Sequence, residues 1–194
     1  MNATPPVDPA RAFPAALRET AARVVAGLAA GELQPPRASF DVGVAGEVLT
    51  IPVRVYYAPA DLANAIDAPG DAGLIALCLG TRHHDGYLRE RCLRRLLGGR
   101  QDWIIPFVVQ LVGEYIAEIV EAIEAALPQL DAPAYGRFLL ENPGFFARTE
   151  RRVVSYGYVH ADRRLNAGTR TIAAFRRMRD AAAAHGEIMP RVRA

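Results

Sequence analysis

The longest apolar run in the chain, WIIPFVVQLVGEYIAEIVEAIEAAL, spans residues 103–127. At about 100° per residue, Val108, Leu111, Val112, Tyr115, Ile116, Ile119, Val120, Ile123 and Leu127 cover roughly half of a helix circumference. Gln110, Glu114, Glu118, Glu121 and Glu124 fall on the opposite arc. The pattern predicts a buried central helix with a broad core face and a narrow acidic stripe. Pro106 either opens that helix or kinks it, because proline lacks the N–H that the helix interior requires. Gln110 and the glutamates interrupt the run well short of the roughly 20 apolar residues of a membrane span, so no membrane association is expected.

The same reading gives the elements around it. Leu17, Ala21, Val24, Val25 and Leu28 keep helical spacing between Pro14 and Ala30, after a proline-rich start (residues 1–12) that reads as a flexible tail. Past the breaker Pro35-Pro36 the period drops to two. Phe40, Val42 and Val44 alternate with polar or small residues, Ala45-Gly46 makes a turn, and Leu49, Ile51, Val53, Val55 and Tyr57 alternate again. This predicts a β-hairpin over about residues 39–57, with Pro52 marking an edge strand. A lone hairpin is marginal in water, so it must lie against helices or pair with another chain, which makes a homodimer through its edge one partner expectation.

Short helices follow at residues 59–66 and 71–80, the latter with Asp71 as its cap, and then a helix over residues 87–97. That helix has Leu88, Cys92, Leu93, Leu96 and Leu97 inside and Arg89, Arg91, Arg94 and Arg95 outside. Helices are also expected at 131–140, at 144–160 and from a Thr169 cap to about residue 186, with a polar loop over 161–168 and a loose tail over 187–194. The fold class is therefore mainly α: one compact helical domain over residues 13–186, carrying one hairpin.

The segment LIALCLGTRHHDGYLRERCLRRLL, residues 74–97, resembles a HEAT repeat, a family of paired helices joined by a short turn. Asp85, Leu88 and Arg89 fall where that family has its second aspartate, its turn valine and its arginine, and Leu93 with Leu96 or Leu97 continues the second helix. His83 replaces the first aspartate, Cys92 stands near the usual alanine, and Gly86 departs from the pattern. A fainter echo begins at Gly144-Phe145-Phe146. The resemblance implies HEAT-like antiparallel helix pairs in which Asp85 and Arg89 are braces.

Composition narrows the chemistry. The 194 residues are 51% hydrophobic and 23% charged, ordinary for a globular chain, and all 23 basic residues are arginine. Without lysine there is neither a Schiff-base amine nor a phosphate-loop lysine. Ser39 and Ser155 are the only serines, and neither lies in a G-x-S-x-G turn. Cys78 and Cys92 sit in apolar patterns without metal-ligand spacing and read as buried thiols of a reducing cytoplasm. The start of the chain lacks the basic and apolar regions of a secretory leader. Net charge is +2, divided between −5 over residues 1–136 and +7 over residues 137–194. The acidic stripe is expected to pair with arginines of residues 87–100 or 148–164, or the basic third to face an anionic partner.

Two clusters carry candidate binding residues. Arg82-His83-His84-Asp85 is similar to the His-Asp pair of metal phosphohydrolases, but no histidine precedes His83 to supply the upstream ligand; the plainer reading is a polar turn with Asp85 as N-cap. His83, His84, Asp85 and Arg89 are the candidates there. Arg148, Arg151 and Arg152 with Tyr156, Tyr158 and His160 combine phosphate-binding and base-stacking residue types, at a spacing that also suits a core helix with a basic outer face. The glutamate stripe lacks the Glu-x-x-His pairs of a dimetal bundle. The chain is thus expected to be a non-enzymatic binding or scaffolding protein with a protein partner, no cofactor and no bound metal. A nucleic-acid-associated protein is the alternative, with a metal-dependent hydrolase at His83-His84-Asp85 third.

Overall fold

A computed structural model describes residues 7–28, 38–159 and 163–188, and the side chains of these except at 156–159, 163–166 and 186–188. His160, Pro35-Pro36, residues 1–6 of the expected tail and the end of the chain from 189 lie outside the described residues. Among the described residues the protein is mainly α: nine α-helices and one two-stranded antiparallel hairpin. The contacts gather into two compact units, Met1–Gly99 and Arg100–Ala194.

In the first unit, Pro9–Ala12 forms a 3-10 turn capped by Asp8, whose carboxylate accepts from the Ala10 N–H at 2.9 Å, and Ala10, Ala12 and Phe13 are buried. Helix α1 (Arg18–Leu28) buries Ala21 and Leu28. Strands β1 (Ser39–Val44) and β2 (Glu47–Pro52) pair from Val44↔Glu47 to Ser39↔Pro52. Their two-residue turn has Ala45 and Gly46 both at positive φ (50° and 82°), the geometry whose twist matches a hairpin. The expected alternation is met in most positions: Val42, Val44, Leu49, Ile51, Val55 and Tyr57 are buried, whereas Phe40 and Val53 are half-buried and Pro52 is buried with its neighbour Ile51. The hairpin lies against helical structure, with the Pro9–Ala12 turn packed on β2. The second strand stops at Pro52 rather than near residue 57. Beyond Pro52, Val55 instead forms a parallel bridge with His83.

Helices α2 (Pro59–Ala65), α3 (Gly70–Gly80) and α4 (Gly86–Leu96) complete this unit, α3 pairing with α4. The α3 residues Ile75, Ala76, Leu77, Cys78 and Leu79 are all buried, as in a helix covered all round. Gly80 permits the close approach of α4, since a Cβ there would collide with Cys92 Sγ. Asp71 lies in the first turn of α3, not at its cap, which is Pro69.

The second unit corrects the expectation of one continuous central helix. A 3-10 turn (Asp102–Ile104) leads into α5 (Ile105–Val112), where Pro106 occupies the first turn, and α6 (Ala117–Ala126) starts afresh after Ile116 turns extended. Gly113 ends α5, and the Arg152 side chain fills the space beside it: a Cβ at Gly113 would lie 3.1 Å from Arg152 Cβ. The break resets the helical faces. Tyr115, expected inside, is 51% exposed, and Gln110, expected on the polar arc, is 5% exposed.

Helix α7 (Ala132–Glu141) is capped by Asp131, which accepts from the Ala134 N–H at 3.0 Å; α8 (Pro143–Val159) follows, and then α9 (Arg163–Ile188). Residues 163–168, expected in a loop, are the first turns of α9, and Thr169 lies within that helix. Helix α9 packs against α6, α7 and α8, with Tyr135 and Phe175 rings 5.7 Å apart. Gly136 sets the α7–α9 approach, since a Cβ there would meet the Met178 carbonyl and lie 2.8 Å from Ala182 Cβ.

Candidate functional site

The turn between α3 and α4 is tied down by its own polar groups. Backbone pairing comes first: Val55 N–H donates to the Arg82 carbonyl at 2.9 Å and His84 N–H to the Val55 carbonyl at 3.1 Å. Thr81 Oγ1 donates to the Cys78 carbonyl at 2.6 Å, and Arg82, 1% exposed, sends Nη2 to the Val53 carbonyl at 3.0 Å. Around this turn sit the four candidates His83, His84, Asp85 and Arg89.

His83 is fully buried. Its Nε2 lies 2.7 Å from the Tyr57 carbonyl oxygen, which can only accept, so Nε2 carries the proton. Nδ1 then accepts from the Asp85 N–H at 3.1 Å. Both ring nitrogens of the neutral form are thereby engaged. Burial draws the His83 pKa below 6.5; the hydrogen bond to Tyr57 opposes that shift, the His84 and Arg89 charges reinforce it, and Asp85 opposes it.

Asp85 is the N-cap of α4 as expected, accepting from Tyr87 and Leu88 N–H groups at 2.8 and 3.3 Å. Arg89 departs from the outward position expected of it. It is 1% exposed and its Nη1 donates to the His83 and His84 carbonyls at 2.8 and 2.9 Å, a set of acceptors that repays desolvation of the guanidinium. His84 alone of the four is exposed; its ring stacks on Tyr56 at 5.4 Å with planes 21° apart. Arg82, Val55 and Tyr57 were missing from the candidate set, and only the alternation of residues 49–57 hinted that the latter two face inward.

This arrangement closes the turn through backbone partners. His83 would have to surrender a hydrogen bond to bind a metal, and no group of three His, Cys, Asp or Glu among the described residues is placed to hold one. Cys78 and Cys92 are unpaired and buried; burial raises both thiols, Cys92 to about 12, which leaves them poor nucleophiles.

The second candidate set lies on α8 in the other unit. Arg148, Arg151 and Arg152 are exposed, while Phe146, Thr149 and Val153 are buried on the opposite side of the helix. The backbones of Tyr156 and Tyr158 belong to α8, but their side chains, like His160, fall outside the described residues. Of the acidic stripe, Glu124 pairs with Arg170 of α9, not with residues 87–100 or 148–164. One of its two contacts is Nη2–Oε2 at 2.9 Å, and the bond holds the Glu124 carboxyl below its ordinary value. A groove of about 640 Å³ runs between α7 and α9, lined mainly by Ala132, Pro133, Leu140, Met178, Ala181 and Ala182.

No helix among the described residues is long and apolar enough to cross a membrane. No family model, curated protein or solved structure matches the chain.

Proposed function

We propose that this protein is a non-catalytic helical binding or scaffolding module, with the α3–α4 pair acting as a HEAT-type hairpin. One observation carries the reading. The polar residues that most resemble reactive groups are committed to backbone partners: His83 through both ring nitrogens, Asp85 as a cap, and Arg89 on two carbonyls. Bracing of this kind is the role the repeat resemblance gives to Asp85 and Arg89, and it leaves them unavailable for chemistry. The groove along α7 and α9 supplies concave apolar surface of the kind a binding module offers, and the two buried, unpaired thiols suit a reducing cytoplasm.

Turnover is the test. Purified protein is assayed against phosphoester and carboxylester substrates beside His84→Ala and Asp85→Asn variants. The reading expects no turnover that depends on either residue. A loss of ten-fold or more in His84→Ala, an exposed position, with circular dichroism matching that of the wild type, would overturn it.

A further inference from the structure

We infer that the outer face of α8 is a docking surface for the phosphate backbone of a nucleic acid. This rests on the reading of the chain as a binding module and names the partner. Arg148, Arg151 and Arg152 stand at i, i+3 and i+4, which places them within about 100° of arc and about 6 Å along the axis. Among the described arginines of this unit, Arg100 and Arg177 stand apart from one another without a carboxylate partner, and the others divide into two groups. Arg137, Arg170, Arg176 and Arg179 each have a carboxylate within 4.0 Å. Arg148, Arg151 and Arg152 have none among the described residues, and the acid between them in sequence, Glu150, turns away to Arg176 at 2.7 Å. Three neighbouring cations are thus left for an outside anion on the part of the chain that carries +7 over residues 137–194.

Guanidinium groups present a planar fork that fits phosphate oxygens, and the Arg152 stem is steadied beside Gly113, with Cβ and Cδ at 3.1 and 3.2 Å from where a Cβ would stand. A membrane surface fits less well, because an interfacial helix inserts a continuous apolar face, whereas Phe145, Phe146 and Val153 of α8 are already buried and Val154 alone among its described large apolar side chains is exposed. A linear array of phosphates fits a linear array of arginines.

Counterion release makes the claim quantitative. Three phosphate contacts contribute a slope of about −2.7 in log K against log salt for duplex DNA and about −2.1 for a single strand, or roughly 40-fold and 20-fold in affinity between 50 and 200 mM salt. The experiment is fluorescence anisotropy of the full chain with a labelled 20-base-pair duplex and 20-nucleotide DNA and RNA strands, across that range. The triple variant Arg148→Gln, Arg151→Gln, Arg152→Gln is expected to lose about that slope, each single variant about a third of it, and the triple change to lysine to keep it. Absence of binding at 50 mM salt, an unchanged slope in the triple glutamine variant, or tighter binding to poly-glutamate than to either nucleic acid would overturn the assignment. Failure here removes the partner only; the non-catalytic reading stands or falls on the turnover assay.

Discussion

Replacing His83 with alanine removes one buried and one part-buried hydrogen bond at once, and the loss can be worked from the partners left behind. The Tyr57 carbonyl loses its 2.7 Å bond in a residue only 7% exposed, and an unsatisfied buried acceptor costs roughly 1–3 kcal/mol. The Asp85 N–H, in a half-buried residue, loses its 3.1 Å acceptor at about 0.5–1.5 kcal/mol. The emptied volume of the imidazole, 0% exposed, adds about 1 kcal/mol. The expected destabilisation is about 3–5 kcal/mol, a large share of the roughly 5–15 kcal/mol that holds a domain. Urea unfolding followed by far-ultraviolet circular dichroism reads it as a fall in midpoint of about 2 M, taking m near 2 kcal/mol/M. His83→Gln, whose amide can still donate to Tyr57, should recover part of the loss. A change below about 1 kcal/mol for the alanine variant would refute the view that this side chain is a brace, and with it the ground for denying it a role in chemistry.

The same residue predicts a pH dependence. Because burial lowers the folded pKa of His83 below its unfolded 6.5, its contribution is complete above about pH 6.5 and falls as pH drops towards the folded value, by at most about 1.4 kcal/mol per pH unit; the difference in stability between wild type and His83→Gln, measured from pH 7.5 to 5, should shrink with acidification, and a constant difference would contradict it. At the α7–α9 contact, Gly136→Ala should destabilise by about 1–3 kcal/mol despite the better helix propensity of alanine, since the Met178 backbone cannot yield. Gly27→Ala in α1, with nothing within 4 Å, should instead stabilise by up to about 1 kcal/mol, and thermal melts giving the two changes the same sign would refute the packing account.

What could be read along the chain depended on whether the cause was local. The hairpin was legible because the period of the pattern changes at residue 40 and Ala45-Gly46 supplies a turn, and Asp85 was legible as a cap because it accepts from N–H groups two and three residues on. The break between α5 and α6 was not, because the apolar spacing on its two sides joins smoothly. What accompanies Gly113 there is Arg152, 39 positions further along the chain, a tertiary neighbour that no window of local sequence contains. The partner of Glu124 was missed for the same reason: Arg170 is 46 residues away, in a helix expected to begin only at residue 169. The loop expected before that helix was inferred from polarity alone, and polar residues are equally at home on the outside of a long helix.

The arginines show where such reading stops. Arg89, Arg148, Arg151 and Arg152 all occupy positions on amphipathic helices where charge is normally solvated, and by helical spacing alone they are alike; only the repeat resemblance sets Arg89 apart. Burying a guanidinium costs several kcal/mol unless acceptors meet it, so its fate is decided by carbonyls within reach. Arg89 follows a turn whose path, fixed by the Val55 bridge and the His83 bonds, brings the His83 and His84 carbonyls to its Nη1; it goes in. On α8 the acid between them in sequence, Glu150, is already taken by Arg176, and Arg148, Arg151 and Arg152 stay out. One arginine therefore completes a turn while three stay at the surface, and the difference lies in the acceptors the fold delivers, not in the residue.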